Sequence, residues 1–569
     1  MPASPVLWLQ QQRRLLELEY EYEKTQFRTQ TEIAGITRKI KQGLCWYPLS
    51  FGKSYYNSLN QLVIEVERTE HTEEDHGFEP GKQVCFFTQD ASGELRQGNH
   101  GGRLHYFHFT GTVSFVDGNT MVVALPDTET LSHLRGNDRV GAQLYLDETT
   151  YRLMFEALDR VSAARHGRLA ELRDIFHGTA QAGHFTFQPV RFPWLNPTQE
   201  TAVNEVLRAK DVMIVHGPPG TGKTTTLVEA IYETLHRESQ VLVCAQSNMA
   251  VDWISEKLTD RGVAVLRIGN PSRVNDKMLS FTYERRFEAH PSYPSLWAIR
   301  KAIRDLYAHR PSSGREAFHQ KIARLRDRAT ELEIAINESL FNETRVIACT
   351  LTGSANRVLA GKKFSTLFID EAAQALKGGR DRTLMETIAA RQPSAVSLLR
   401  TQYRMNDAIM HFSSECFYDG KVESAPEVKY RGILDWDTPM EWIDTADEEQ
   451  TAPYLTEEPS NPVSAPAPPT AGIPDFEETR NPDSTSRSNP EEARLTLNIL
   501  KAHFQKIGKE RILAERIDTG LISPYKGQVQ LLRTLLRRDA FFKPYRHLLS
   551  VNTVDGFQGQ ERDVILISL

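Results

Sequence analysis

The sequence predicts an α/β protein carrying a small β-rich insertion, and three observations predict it. An apolar run, Asp211-Val212-Met213-Ile214-Val215, leads into the loop Gly217-Pro218-Pro219-Gly220-Thr221-Gly222, and a helix-like stretch starts at Lys223. A second apolar run, Leu367-Phe368-Ile369, ends on the acidic pair Asp370-Glu371. Between Cys45 and Leu146 the pattern changes to short alternating runs, flanked on both sides by helical periodicity. Strand–loop–helix units build a parallel sheet covered by helices, whereas short strands at this spacing suggest a small barrel.

Taken in order, residues 6–42 read as one long helix, the first half of a stalk. Leu9, Leu16, Tyr20 and Phe27 recur at spacings of seven, four and seven, a narrow stripe suited to one partner helix. The barrel insertion is expected over 43–146, with runs at Leu62–Val66, Gln83–Phe87 and Gly111–Phe115. Asp117-Gly118-Asn119 signals a hairpin, with Met121–Ala124 as its return strand. Helical periodicity over Asp147–Arg173 offers the first helix its partner, in a second stalk helix and connector spanning 147–191.

A first α/β lobe is expected over 192–401, interrupted by a charged helical insertion at about 283–343 that turns at Pro311-Ser312-Ser313-Gly314. A second lobe, 402–569, contains the stretch 447–490, whose nine prolines and low apolar content read as a disordered loop.

A chain of 569 residues allows roughly three to five such domains. Its five cysteines are far apart and form no CxxC pair, which argues against disulfide frameworks, zinc ribbons and iron–sulfur clusters. No apolar run approaches the roughly 20 residues of a membrane span, and the N-terminus lacks a signal-peptide pattern. A soluble, cytoplasmic monomer is the expectation. The net charge of −6 is unevenly spread. Residues 447–490 carry a local −7, so the remainder is about neutral, while Arg300–Arg328 carries a local +6. A basic element on a neutral body is compatible with phosphate-backbone binding, and equally with a solvated helix face.

The loop Gly217–Thr224 is a complete phosphate-binding loop in the strand–loop–helix setting that such a loop requires. Small residues let consecutive backbone N–H groups turn inward as an anion nest, and the helix N-terminus adds partial positive charge. Lys223 then reaches the β- and γ-phosphates and the Thr224 hydroxyl ligates Mg²⁺, so ATP and Mg²⁺ are the expected cofactors. In ATPases with such a loop, an aspartate placed like Asp370 holds the metal. A following glutamate, here Glu371, takes the proton from the attacking water.

Further stretches follow one another along the chain: Leu195-Asn196-Pro197-Thr198-Gln199, Gln246–Asp252 (QSNMAVD), Ala348-Cys349-Thr350, Asp370–Ala375 (DEAAQA), Gln402-Tyr403-Arg404-Met405, Ser523-Pro524-Tyr525 and Val554–Glu561 (VDGFQGQE). With the phosphate loop, this series resembles a superfamily 1 helicase of the branch containing the nonsense-mediated-decay helicase, senataxin and the immunoglobulin mu-binding helicase. It is most similar to the last, because the stalk-and-barrel insertion resembles it too, and the resemblance covers nearly the whole chain. It implies two RecA-like lobes, ATP hydrolysis coupled to lobe closure, and 5′-to-3′ movement along single-stranded DNA or RNA.

Residue by residue, the resemblance implies that Gln199 reads the adenine edge and Tyr403 stacks on the base. Lys223 and Thr224 hold phosphates and Mg²⁺, flanked in the nucleotide site by Thr225 and Gln374. Asp370 is then the metal ligand, Glu371 the general base and Arg404 an arginine finger, while Gly559 and Glu561 approach the nucleotide from the second lobe. Ser247, Asn248, Thr350 and Thr553 resemble positions that hold nucleic-acid phosphates. Read from the residues alone, Gln199 after Pro197-Thr198 is also an N-cap helper, and serine and threonine are good caps. Trp46, Tyr47, Tyr55, Tyr56, Tyr106, Phe107 and Phe109 either stack bases or form the barrel core.

Two motifs implied by the resemblance are missing. Between Gln374 and Gln402 the family carries a strand ending in a GDxxQLPP-type motif, and here no strand candidate remains in that gap. Such a loss would open the middle of a sheet. The last motif, with a further arginine, would lie beyond Leu569. Both gaps lead to the expectation of an incomplete gene model or fragment that binds nucleotide but lacks efficient hydrolysis and unwinding. The rival readings are an ATP-gated nucleic-acid clamp that does not unwind, and an unrelated phosphate-loop ATPase acting on proteins.

Overall fold

The computed structural model describes all residues except 1–3, 29–34, 58–59, 73–75, 90–103, 147, 310–314, 375–382, 435–437, 446–447, 455–477, 481–485 and 558–559. The chain divides into two compact units, one comprising residues 1–217 and 222–399, the other 218–221 and 400–569.

The first unit begins with α1 (Pro5–Arg28) and α2 (Ile36–Lys41). The single helix expected over 6–42 is therefore corrected to two. Gly35 is extended, with φ −64° and ψ 157°, and starts the second helix. A glycine inside a helix costs about 1 kcal/mol relative to alanine, which favours a break at this position. Leu9 and Leu16 of the anticipated stripe are buried.

Seven antiparallel strands follow: β1 (Cys45–Trp46), β2 (Leu49–Tyr56), β3 (Leu62–Arg68), β4 (Gln83–Gln89), β5 (Leu104–Asp117), β6 (Thr120–Leu125) and, after α3 (Thr128–Arg135), β7 (Val140–Tyr145). They form one sheet in the order β1-β7-β4-β5-β6-β3-β2. The β5–β6 turn is the expected Asp117-Gly118-Asn119 hairpin, with Gly118 at φ +54°. Inward residues Trp46, Ile64, Val66, Phe86, Val113, Met121 and Val123 make its core.

Two helices then replace the single periodic stretch read over 147–173: α4 (Thr149–Ala163) and α5 (Arg168–Phe176). The break falls at Gly167, whose φ of +84° is open to glycine at little cost. Helix α4 packs on α1 through Tyr20 against Tyr151 and Phe155, and through the Arg13–Asp159 ion pair at 2.7 Å.

The α/β part comprises α6 (Pro197–Arg208), β8 (Ile214–His216), α7 (Lys223–Thr234), β9 (Val241–Ala245), α8 (Asn248–Asp260) and β10 (Val265–Ile268). The helical insertion α9 (Tyr283–Glu288), α10 (Tyr293–Ala308) and α11 (Arg315–Asn342) comes next, followed by β11 (Val346–Thr350), β12 (Leu367–Asp370), α12 (Leu384–Arg391) and β13 (Val396–Leu398). The turn read at Pro311–Gly314 lies outside the described residues. Four strands pair in parallel in the order β10-β11-β9-β12. One face packs on α7 and α8 through Val243, Ala348, Ile231 and Ile254. The other packs on the insertion through Cys244, Ile347, Leu296 and Ile336. Burial on both faces is what a parallel sheet requires, and it explains the unbroken apolar runs of β9 and β11.

Strand β8, which precedes the phosphate loop, pairs among the described residues with β13 alone, in a separate parallel ladder. The expectation that no strand candidate lies between Gln374 and Gln402 is thus corrected: Val396–Leu398 is a strand. Three half-buried residues following a helix are too short a run to stand out from that helix in sequence. Among the described residues no strand joins β8 to β12, and Leu367 and Ile369 of β12 are 52% and 40% exposed.

The second unit holds β14 (Thr401–Gln402), α13 (Asp407–Tyr418), β15 (Glu423–Ser424), α14 (Glu448–Thr451), β16 (Thr479–Arg480), β17 (Arg487–Ser488), α15 (Pro490–Ile507), α16 (Lys509–Glu515), β18 (Thr519–Ser523), α17 (Lys526–Arg538), β19 (Leu549–Thr553), α18 (Val554–Phe557) and β20 (Val564–Ile567). Strands pair in parallel in the order β19-β18-β20 over a core of Leu500, Phe504, Leu521, Leu532 and Phe542. The loop read over 447–490 is corrected at its ends, where α14 and the β16–β17 hairpin form. Its middle, 455–477, lies outside the described residues.

Candidate nucleotide site and nucleic-acid contacts

The phosphate loop runs from β8 into α7, as its sequence requires. Gly220 and Gly222 have φ of +77° and +75°, and Gly222 caps α7. Left-handed backbone at these points turns the peptide N–H groups of the loop inward. Space is equally tight. A Cβ on Gly222 would lie 2.5 Å from Gln199 Nε2, and one on Gly220 2.5 Å from Arg404 Cβ. Thr221 is fully buried, and its hydroxyl donates to the Pro218 carbonyl at 2.8 Å. Lys223 and Thr224 occupy the first turn of α7 with Thr225, which is exposed.

Gln199 is buried over the loop. Its Oε1 accepts from the Asn196 N–H at 3.1 Å, closing a capping box in which Asn196 Oδ1 accepts from the Thr198 and Gln199 N–H groups. This is the helper role that its place after Pro197-Thr198 offered, and it carries the side chain to Gly222.

Asp370 ends β12, buried. Burial, with Glu371 beside it, pushes its carboxyl above the usual carboxylate range; the Glu371 N–H (2.9 Å) and the Lys223 ammonium oppose that shift. Glu371 has φ +51°, an uncommon conformation for a non-glycine residue and one that costs of order 1–3 kcal/mol. Among the described residues no group of three or more His, Cys, Asp or Glu is placed to hold a metal ion. Mg²⁺ bound through one carboxylate, one hydroxyl and substrate phosphates needs no such group, so Asp370 and Thr224 fit it.

Within the second unit, Tyr403 donates its N–H to the Gly220 carbonyl at 2.8 Å, and its ring is partly exposed. Arg404 pairs with Glu561. The Arg404 backbone rests on Gln402, which sequence reasoning left out of the site. Gln402 is fully buried; its Oε1 accepts from the Arg404 and Met405 N–H groups at 2.8 and 2.9 Å, and its Nε2 donates to Met405 O and Ser424 Oγ. Its place at the head of the Gln402-Tyr403-Arg404-Met405 stretch was the available signal. Gly559 lies outside the described residues. Gln374 closes the short turn Ala372–Gln374, and its side chain also lies outside them.

Ser247, Asn248 and Thr350 come together at the C-terminal ends of the adjacent strands β9 and β11. Ser247 caps α8 through the Ala250 N–H, and Thr350 Oγ1 accepts from the Gly353 N–H at 3.0 Å. Thr553 ends β19 in the other unit. Of the insertion aromatics, Trp46 is fully buried, Phe107 and Phe109 pack on the core, and Tyr47 stacks on Phe87. Tyr106 is tied through its hydroxyl to Lys39 and Gln143, while Tyr55 is exposed. The basic stretch is partly committed: Arg304 lies over Tyr56 and Trp297, and Arg300 pairs with Glu333.

Comparison with known proteins adds to this geometry. Two family models, each described as an AAA domain, match residues 194–378 and 380–569. The rat DNA-binding protein SMUBP-2 is 27% identical over 98% of this chain and 57% of its own length. A protein of Methanocaldococcus jannaschii named as an uncharacterized ATP-dependent helicase is 28% identical over 76% of this chain and 71% of its own. The DNA polymerase alpha-associated DNA helicase A of Schizosaccharomyces pombe is 28% identical over 66% and 58%. The chain thus spans little more than half the length of the rat and yeast relatives. No helix among the described residues is long and apolar enough to cross a membrane.

Proposed function

The chain belongs to the superfamily 1 helicases of the branch that includes the nonsense-mediated-decay helicase, senataxin and the immunoglobulin mu-binding helicase, and from that premise we propose that it is an ATP-driven translocase on single-stranded DNA or RNA. The observation that carries this reading is the phosphate loop: two left-handed glycines between β8 and α7, with the buried Asp370 near Lys223. In this proposal the two α/β parts are RecA-like lobes and the seven-stranded sheet is a barrel inserted on the α1–α4 stalk.

The loop N–H groups and Lys223 bind the β- and γ-phosphates. Asp370 and Thr224 would hold Mg²⁺, which supplies charge neutralisation on the phosphates. Glu371 orients the attacking water and takes its proton, while Asp370, held by the Glu371 N–H, stays available as a ligand. Arg404, packed on Gly220 and oriented through Gln402, stabilises charge on the transferring phosphoryl group. Ser247, Asn248, Thr350 and Thr553 hold phosphates of the strand, and movement is 5′ to 3′.

The absence, among the described residues, of a strand joining β8 to β12 favours a second reading, an ATP-gated clamp that binds strands without unwinding them. The test is steady-state ATPase with and without single-stranded DNA or RNA, beside a strand-displacement assay. Strand-stimulated phosphate release with displacement supports the translocase. ATP and strand binding without turnover supports the clamp. Absence of ATP binding refutes both.

A further inference from the structure

Arg267, in the middle of β10, is fully buried and spends its guanidinium on three acceptors. Nε donates to Asp252 Oδ1 at 2.8 Å, Nη1 to the Ile268 carbonyl at 2.6 Å, and Nη2 to Asn248 Oδ1 at 2.8 Å. Asp252 in turn accepts the Asn275 N–H at 2.9 Å through Oδ2. The fold makes room for the group, since a Cβ on Gly269, at φ +157°, would lie 2.9 Å from Nη1. Neutralising the buried charge needs Asp252 alone. The third arm reaches one turn back along α8, to the residue at its first position.

That third contact decides which way the Asn248 amide faces. A guanidinium has donors only, so the atom turned toward Arg267 must be the amide oxygen. The Nδ2 hydrogens therefore face away from Arg267, beside the N-terminal turn of α8, and Nδ2 has no protein acceptor among the described residues. A side chain held in this way offers only donors to whatever lies in front of it. Donors beside a helix N-terminus match a phosphate oxygen, the chemistry common to DNA and RNA backbones.

We propose that Arg267 is a positioning residue for strand binding, anchoring Oδ1 of Asn248 so that its N–H₂ group is presented to the sugar–phosphate backbone. The inference rests on the reading of Asn248 as a strand contact. Sequence alone hides it, because Arg267 lies 19 positions from Asn248 inside an apolar strand.

Binding of a fluorescein-labelled mixed-sequence single strand, as DNA and as RNA, is measured by anisotropy on the full chain over a range of salt. Thermal unfolding checks that each variant is folded. Asn248→Ala is expected to weaken binding about fivefold, and Asn248→Asp more than about tenfold, because an anchored carboxylate still accepts from Arg267 and directs its second oxygen at the phosphate. Equal losses in the two variants would overturn the proposal, since an unanchored aspartate turns away and behaves like alanine. The pair Arg267→Met with Asp252→Leu removes the anchor without stranding a charge. It is expected to lose as much as Asn248→Ala, with no further loss when the two are combined. Wild-type affinity in the pair variant, or additive losses, would also overturn it, because a merely structural ion pair predicts one or the other. Should the pair variant not fold, the comparison of aspartate with alanine decides. No binding of either strand by the wild type at low salt would refute the strand reading itself, a result distinct from equal losses.

Discussion

Replacing Glu284 by glutamine is expected to stabilise the first unit at alkaline pH and to leave it almost unchanged at pH 4. Glu284 sits in the first turn of α9, next to Tyr283. Burial pushes its carboxyl up to about 7 from an ordinary 4.5, with Glu288 adding to the shift and Arg267 opposing it. Its Oε2 is buried and has no hydrogen-bond partner among the described residues. The folded protein thus holds this proton more tightly than the unfolded chain does. Stability attributable to the group is greatest in acid, falls as pH rises from 4.5 to about 7, and stays low above that. At about 1.4 kcal/mol per decade, the interval corresponds to a penalty of about 3 kcal/mol at pH 8. Glutamine has no proton to lose and escapes it. Urea unfolding of wild type and Glu284→Gln at several pH values, followed by tryptophan fluorescence, gives the difference directly. A stability difference that stays flat between pH 4 and 8 would refute the reasoning, whatever its size.

Other outcomes follow from single contacts. Gly222→Ala is expected to lower ATP affinity at least tenfold by fluorescent-nucleotide titration, because its Cβ meets Gln199 Nε2 at 2.5 Å and its φ of +75° costs about 1–2 kcal/mol for alanine. Gln402→Leu strands the buried N–H groups of Arg404 and Met405, so a loss of about 2–4 kcal/mol is expected in the urea transition of the second unit. With an aromatic disulfide reagent, Cys416 is expected to react fast in the native protein and the other four only after unfolding. Those four are buried, and burial pushes Cys45 up to about 12 and Cys85 up to about 11.

Sequence reading succeeded where chemistry constrains several adjacent residues at once. The phosphate loop needs small residues, a lysine and a preceding strand together, and the structure has them in that order. The hairpin at Gly118 was legible for the same reason. What escaped was settled by single residues or by distant partners. Gly35 and Gly167 cap the starts of α2 and α5, at breaks that the apolar periodicity runs through, so periodicity joined segments that the backbone separates. Strand β13 is three residues long, and only its pairing with Ile214–His216 makes it a strand. Gln402 stood inside a recognised stretch and Arg267 inside an apolar run, but the importance of both lies in burial, which no local pattern encodes.

The parallel register shows why the proposed nucleotide and strand contacts share one sheet. Asp370 on β12 and Thr350 on β11 have the same register partner on β9, Ala245, and Ser247 and Asn248 follow two and three residues later. Three strand ends therefore stand side by side, one carrying the proposed metal-binding carboxylate and two carrying the proposed phosphate contacts. Parallel strands with helical crossovers bring their C-terminal ends to one edge, so this grouping follows from topology. A shift of β12 against β9 on nucleotide binding would move Asp370 relative to Ala245 by the same displacement. Because Asn248 is held through Arg267 on β10, beyond β11, its amide is tied to the far side of the sheet from β12. Coupling between ATP and the strand in this unit would then be read as movement of β12 against a β9–β11–β10 block that keeps its phosphate contacts fixed.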